Sequence, residues 1–476
     1  MPTFEATSIQ PAAPAEAFAW HERPGAFDRL IPPWMRAEVL ERSGGLRPGG
    51  RLLFVVRRGA GRVLWDARHT EYDPGLCFVD EMARGPFRTW RHEHRFEPGP
   101  SAGTCTLCDT VTLTLPGGRA AWMAAGRWVR ADLERLFAYR HARLRADLEA
   151  LAEFDAARGS NMPWRVAVSG SHGLIGSALT SLLMTGGHAV TRLVRTRVEP
   201  GDVLWQAGHG GPGGEGQIDR AGLEGVDAIV HLAGAPLFGG RWTKARRQEF
   251  RDSRVEGTRL IAHTAANLAQ RPRVMIVASG IGLYGDRGDQ ELAEDAGVGS
   301  GFFAELARDW EAAAEPARQA GVRVVHLRLG IVLGARGGVL ASVRRPFALG
   351  LGMIPGSGAQ WTPWVSLEDT VRAVLYACAR ETLEGAVNVA SPGVVRADEF
   401  VNGLARSLGR PLAGRAPGWM VRALAGERSE ALLASTRAAP ARLLRDGFRF
   451  AHASLEDALR WEWGMEARNR PRFAWS

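Results

Sequence analysis

Over the first 157 residues, apolar and polar positions partly alternate in four runs. They are GRLLFVVRR (50–58), RVLWDARHTEY (62–72), FRTWRHEHRFEP (87–98) and TCTLCDTVTLTLP (104–116). These runs are rich in β-branched and aromatic residues, and a period of two predicts strands. From Arg127 to Ala157 the period changes. Leu133, Leu136, Phe137, Leu144, Leu148 and Leu151 recur at helical spacing among charged residues, which predicts one long helix. A short helical region is expected near Glu16–Leu30. The order implies an α+β domain in which a curved antiparallel sheet grips its C-terminal helix. ARGSNMPW (157–164) carries Gly, Ser, Asn and Pro and reads as a linker.

A different pattern starts at Arg165. RVAVSG is a short apolar run, Gly170, Gly173 and Gly176 follow at three-residue spacing, and Leu174–Thr185 is apolar at helical period. Gly186-Gly187 ends that helix, and HAVTRLV predicts a second strand. Strand, glycine turn, helix and strand in this order form the start of a dinucleotide-binding βαβ unit. The glycines let the backbone approach a pyrophosphate, and the helix N-terminus offers free N–H groups to it. Gly170, Ser171, Gly173, Leu174, Ile175 and Gly176 are the expected cofactor-binding residues of the turn. AGHGGPGGEGQ (207–217) is also rich in glycine but opens no helix, so it reads as a flexible loop.

The G-x-x-G-x-x-G spacing resembles extended short-chain dehydrogenases and nucleotide-sugar epimerases. GVDAIVHLAGAP (225–236), RVMIVASG (273–280), VRVVHLRLGIVLG (322–334) and WVSLEDTVRAVLYA (364–377) match that family's later elements in order. The resemblance implies an α/β Rossmann fold of the extended short-chain dehydrogenase type, with Leu232, Ala233, Gly234 and Ser279 beside the cofactor. GGRWTKARRQEFRDSRVEGTRLI (239–261), SGIGLYGDRGDQ (279–290) and PARLLRDGFRF (440–450) look like an atypical epimerase-like family. The N-terminal segment resembles the polyketide-cyclase/START-like (SRPBCC) superfamily through AWHERPGAFDRLIPPW (19–34), GPFRTWRHEH (85–94) and FAYRH (137–141). That resemblance implies a helix-grip domain with an apolar cavity for a hydrophobic ligand. Trp20, Trp34, Trp65 and Trp90 are then core or cavity lining. The expected domains are 1–157, ligand cavity; 163–396, Rossmann; and 397–476, a helical cap completing the epimerase-like unit.

The second strand ends at Arg195, with Arg192 and Arg197 nearby. An acidic residue there would hold the ribose hydroxyls of NAD, whereas a guanidinium matches a 2′-phosphate, so NADP is expected, with NAD possible. The resemblance also implies a catalytic Ser, and a Tyr with a Lys four residues on. By register these positions fall on Gly280, Phe303 and Ala307. Lys244 is the only lysine in the chain, so no shifted Tyr-x-x-x-Lys pair exists. Two readings follow. In one, the protein reduces or epimerises a small molecule with other groups, for which Tyr284 and Ser279 are the candidates. Arg308 could supply the missing cation, though one position along a helix is rotated by about 100°. In the other, it is a non-catalytic NADP- and ligand-binding sensor or partner-binding module. Trp242, Lys244, Gln360 and Trp361 are candidate substrate residues, with Arg241, Thr243 and Trp364 near them.

Length and charge narrow this picture. A chain of 476 residues suggests about three domains. The formal net charge is +9, but Arg is spread along the whole chain, so no nucleic-acid partner is expected. The N-terminus has no basic start or apolar run, and no apolar stretch is long enough for a membrane span. Cys77, Cys105, Cys108 and Cys378 are too scattered for a disulfide framework, which fits a cytoplasmic protein. His92-Glu93-His94 puts two imidazoles on one face of a strand. Cys105-x-x-Cys108 has metal-like spacing but puts its thiols on opposite faces. A solvated sheet face is the expectation for the histidines, with no metal. The oligomeric state cannot be read.

Overall fold

The computed structural model describes residues 1–58, 61–196, 198–208, 216–236, 242–465 and 471–476. The chain divides into two compact units. The first is Met1–Glu153 with Ser181–Gly187 and Trp461–Ser476; the second is Phe154–Thr180 with His188–Arg460.

The first unit is built on one antiparallel sheet. Its strands are β1 (Thr3–Gln10), β2 (Arg36–Ser43), β3 (Arg51–Arg58), β4 (Gly61–Asp73), β5 (Cys77–Arg84), β6 (Thr89–Pro98) and β7 (Cys105–Thr114). Three of them, β1, β2 and β5, were not evident from the pattern. Helices α1 (Pro14–Glu22) and α2 (Ala26–Leu30) follow β1, and the long helix α3 spans Gly118–Arg158. It begins nine residues before the expected start at Arg127. The sheet order is β2-β3-β4-β5-β6-β7-β1, and a last strand from Arg472 to Trp475 pairs antiparallel with β1. Register shifts at Val39/Glu41, Asp66/Ala67 and His69/Glu71 bend the sheet, as bulges do.

The inward face carries Phe4, Trp90, Val111 and Leu113, which pack with Leu133 and Phe137 of α3. Cys105 is buried while Cys108 is half-buried, and both thiols are free, as the period of two requires. The solvated-face expectation for His92 and His94 is corrected. They alternate with Trp90 and Phe96 on the inward face and are 3% and 7% exposed.

A buried ion pair fastens α2 to α3. Arg29 Nε donates to Asp147 Oδ2 at 2.7 Å, and its Nη2 contacts Oδ1. Arg143 Nη1 lies 3.5 Å from the same carboxylate, and Tyr139 Oη donates to Arg29 O.

The second unit is a doubly wound sheet. Its strands are β8 (Arg165–Ser169), β9 (Ala189–Val194), β10 (Val203–Gln206), β11 (Gln217–Ile218), β12 (Ala228–His231), β13 (Val274–Gly280), β14 (Arg323–Leu329) and β15 (Gly385–Val389). The strand from Arg472 to Trp475 is therefore β16. The order is β11-β10-β9-β8-β12-β13-β14-β15, parallel except for β11. Strand order reverses beside β8, where such sheets bind dinucleotides at their carboxyl edge. Helix α4 (Leu174–Thr185) leaves β8 as expected, followed by α5 (Lys244–Arg251), α6 (Gly257–Ala266) and α7 (Phe302–Ala312). Of the Gly-rich loop at 207–217, residues 209–215 lie outside the described residues. Among the described residues, no helix is long and apolar enough to cross a membrane.

Replacing Asp147 by Ala would leave the Arg29 guanidinium buried without its carboxylate. The expected loss of stability is about 3–5 kcal/mol, read by urea denaturation of the full chain.

Candidate functional site

The turn after β8 is shaped by steric limits. Gly170 has φ +69°, and a Cβ there would lie 2.9 Å from the backbone of Leu232 and Ala233. A Cβ on Gly176 would lie 2.1 Å from Gly170 O. Any side chain at 176 therefore pushes α4 off the end of β8. Gly173 N donates to Gly170 O at 2.8 Å and closes the turn. Ser171 is buried beside it, and the Leu174 side chain packs against Gly334.

Ser169 joins this turn to the end of β12. Its hydroxyl accepts from Leu232 N at 3.2 Å and Ala233 N at 3.3 Å. The same oxygen lies 2.6 Å from His231 Nδ1, so its proton goes to that nitrogen. Burial, then the Arg254 charge, pull the His231 pKa down to about 3, and the imidazole is neutral. The strand ends are thereby held as an edge that a pyrophosphate and its ribose can approach.

At the end of β9 the arginines differ. Arg192 is engaged by Asp202 at 2.8 Å and Glu199 at 2.5 Å. Arg195 is exposed and makes no ion pair among the described residues. Arg197 lies outside the described residues.

Arg254 stands beside this edge and was not among the residues expected from the sequence. It is buried, sits in a π-helical turn (Asp252–Glu256) and donates to Ala235 O at 3.1 Å. A Cβ on Gly234 would lie 3.0 Å from its Cζ. Its guanidinium stands over Trp310 at 5.2 Å, and burial pulls its pKa down to about 10. Single π turns are frequent at functional sites. The signal was present: Arg254 shares a helical stripe with Thr258, Ile261 and Ala265, all buried. Next to it, Ser253 accepts from Ala235 N at 3.0 Å and borders an open cavity of about 420 Å³, with Gln248, Glu249 and Asp252.

Helix α7 carries Phe303 and Ala307, the positions at which the resemblance implied Tyr and Lys. Phe303 packs against Trp242 at 5.4 Å and Phe302 at 5.6 Å, and Trp242 also meets Phe250 at 4.9 Å. Ala307 is buried among Ile281, Leu283 and Tyr284. Arg308 points the other way, exposed and bonded to Asp309. A Cβ on Gly280 would meet only Gly282 N, at 3.9 Å, so a serine is not excluded there by space.

Ser279 and Tyr284 are brought together by one ion pair. Arg328 grips Glu311 with two hydrogen bonds, of 2.8 and 2.9 Å. Ser279 Oγ donates to Glu311 at 2.8 Å. Tyr284 is 0% exposed; its hydroxyl accepts from Arg328 Nη1 at 2.8 Å and donates to Asn388 Oδ1 at 2.7 Å. Burial raises the Tyr284 pKa, against the opposing pull of Arg328.

The substrate candidates do not form one group. Lys244 is exposed at the start of α5, behind its N-cap Thr243, whose Oγ1 accepts from Arg246 N at 3.2 Å. Gln360 is buried and donates to Pro355 O and Leu432 O. Trp361 donates to Asp289, and Arg396 stands 4.4 Å from its ring. Trp364 is a core residue that donates to Gly393 O. Arg241 lies outside the described residues.

A parallel sheet with a glycine cradle at its switch point defines a dinucleotide-binding protein of the extended short-chain type. Residues 166–390 match the NAD dependent epimerase/dehydratase family. Residues 10–138 match the family of polyketide cyclase / dehydrase and lipid transport, and 416–462 a domain of unknown function. The chain belongs to the epimerase family. It is 41% identical over 295 residues to epimerase family protein MT2273 of Mycobacterium tuberculosis, covering 62% of this chain and 96% of that one. It is 33% identical to epimerase family protein SDR39U1 of Homo sapiens, covering 62% of this chain and 98% of that one. A crystal structure of the nucleoside-diphosphate sugar epimerase from Corynebacterium glutamicum superposes with TM-score 0.78 and 30% identity. That match covers 97% of this chain and 90% of that one. Human SDR39U1 (isoform 2), solved with NADPH, gives TM-score 0.56 at 30% identity, over 63% of this chain and 99% of that one.

Glu311→Gln would leave Arg328 buried with half its partner, at an expected cost of about 3–5 kcal/mol. Burial raises the Glu311 carboxyl, but the Arg328 hydrogen bonds and charge outweigh it and hold the pKa below the ordinary 4.5. The folded pKa is thus depressed, so this stabilisation is complete above about pH 4.5 and lost as pH falls through the lower native value. Acid denaturation of Glu311→Gln is expected to show a shallower low-pH limb than the parent protein.

Proposed function

We propose that this protein is an NADP(H)-binding, epimerase- or reductase-like protein that acts on a small molecule without the usual Ser, Tyr and Lys set. The observation that carries the reading is the cradle around Gly176, which a single Cβ would fill. Gly170, Ser171, Gly173, Leu174, Ile175 and Gly176 would hold the pyrophosphate against the N-terminus of α4. Leu232, Ala233, Gly234 and Ser279 would border the rest of the cofactor. A bound nicotinamide dinucleotide supplies hydride transfer. Arg254, a cation beside Gly234, would help to orient it. The preference for NADP over NAD is supported by Arg195, whose guanidinium is exposed while Arg192 is engaged by two carboxylates. The NADPH in the solved human relative supports the same choice. The match of residues 10–138 supports a hydrophobic ligand for the first unit.

A second reading is favoured by a specific observation. The hydroxyls of Tyr284 and Ser279, the two candidate proton carriers, are both engaged in the Glu311–Arg328 network. A protein that binds NADP and a ligand without turnover, as a sensor or partner-binding module, needs neither hydroxyl to be free.

Titration of the purified chain with NADPH and NADH tests the cofactor. NADPH is expected to bind at least about tenfold more tightly, because a bidentate charged contact is lost with NADH. Arg195→Ala should remove that preference; equal affinities in the parent protein would show that Arg195 does not hold a 2′-phosphate.

Incubation of the NADPH complex with a broad library of carbonyl compounds separates the two readings. Steady oxidation of NADPH, or epimerisation of an added compound with the cofactor regenerated, supports the first and sinks the second; ligand-dependent stabilisation with neither does the reverse. Tyr284→Phe is expected to destabilise the unit by about 1–3 kcal/mol through its unpaired neighbours. If Tyr284 carries the proton, that variant also loses turnover while still binding NADPH.

A further inference from the structure

The inward face of the first unit holds a cluster that the dinucleotide reading does not use. Asp80 on β5 stands directly opposite His92 on β6, and Asp109 on β7 stands directly opposite His94. Antiparallel partners opposite one another share a face, so all four side chains meet under α3. Asp80 Oδ1 lies 3.3 Å from His92 Nδ1 and 3.8 Å from His94 Nε2. The three ligand atoms all lie within 4.8 Å of one another. A tetrahedral ion with bonds of about 2.0–2.1 Å sets its ligand atoms about 3.3 Å apart.

The far side of the imidazoles supplies an independent observation. Asp109 Oδ1 is 3.3 Å from His92 Nε2 and 2.5 Å from His94 Nδ1. Its other oxygen is 2.7 Å from His141 Nε2, and His141 Nδ1 is 2.6 Å from Ser8 Oγ. Gln10 Nε2 in turn donates to Ser8 Oγ at 2.6 Å. One carboxylate thus faces the remote nitrogen of both histidines. His92 Nδ1 and His94 Nε2 face Asp80, on the side of the rings away from Asp109. In the tautomer that protonates the nitrogen facing Asp109, each neutral imidazole would offer the lone pair of its other nitrogen to a cation beside Asp80. Metal-binding histidines are held in this way, with the second ring nitrogen donating to a carboxylate. Phe78 stacks on His94 at 4.2 Å and fixes its ring plane. Arg140 on α3 is the buried guanidinium whose charge acts on both carboxylates.

We propose that Asp80, His92 and His94 bind one divalent transition-metal ion of the zinc type, with Asp109 as the residue that orients both histidines. Two nitrogens and one oxygen leave a fourth position open. Asp80 is the least buried of the three, so that position is reached from its side. It suits water or a ligand oxygen, so the unit would bind an oxygen-bearing ligand through the ion as well as through apolar contacts. The site is independent of the NADP(H) reading.

The test uses the full chain without a histidine tag, stripped of metal and titrated with Co²⁺ alone. Visible absorption bands of tetrahedral intensity are expected, saturating at one ion per chain and displaced by Zn²⁺. Asp80→Asn and His94→Gln are each expected to abolish the bands. Asp109→Asn should weaken binding about 10–100-fold through the lost orientation of the rings. No saturable band in the parent protein, or an unchanged band in correctly folded Asp80→Asn, overturns the proposal. Should the variants fail to fold, X-ray absorption of the parent protein loaded with Zn²⁺ decides. Nitrogen and oxygen neighbours with imidazole scattering support it; sulfur bound to the metal overturns it.

Discussion

The guanidinium of Arg328 is the fixed point of the second unit. It reaches from β14 to Glu311 on α7, to Tyr284 after β13 and to the carbonyl of Glu294. Tyr284 passes the constraint to Asn388 on β15, and Glu311 passes it to Ser279 on β13. A buried cation must be surrounded by acceptors, since each one missing costs its full desolvation. That demand fixes β13, β14, β15 and α7 against one another at the carboxyl edge of the sheet. It also takes up the two hydroxyls that a reader of the sequence would offer for proton transfer. Phe303 and Ala307, on the same helix as Glu311, are packed against aromatic and apolar neighbours.

Local chemistry made the cofactor half of the second unit legible. Gly170, Gly173 and Gly176 announce a turn, and at Gly176, where a Cβ would lie 2.1 Å from Gly170 O, only glycine fits because it has none. The helix after them was read to its true ends because its apolar period starts at Leu174 and Gly186-Gly187 stops it. The candidate substrate residues were less legible. Gln360 and Trp361 were expected near a substrate cleft, yet each is held by backbone or Asp289. Such partners come from distant parts of the chain and leave no local mark. Arg254 did leave one, as a charge on a stripe of apolar positions, and the abundance of Arg hid it.

The same lesson applies to the first unit with the opposite sign. His92 and His94 looked like the polar half of an alternating strand. Their parity is that of Trp90 and Phe96, and Asp109 has the parity of Leu107 and Val111. Parity assigns the face and the face assigns burial, so these polar residues belong to the interior. Three strands were missed because β1, β2 and β5 carry many charged or small residues. β2 is mostly exposed at the sheet edge, where packing writes little into the sequence.

The pairing of β1 with β16 has a consequence for how the chain is made. Phe4 lies opposite Trp475, and their rings stand 4.8 Å apart. A ribosome adding about 5–20 residues per second needs on the order of a minute to pass from one partner to the other. Throughout that time the free edge of β1 is open to any extended chain nearby, including that of a neighbouring nascent copy. The sheet of the first unit is thus begun with β1 and closed on that edge only after residues 472–475 have been made.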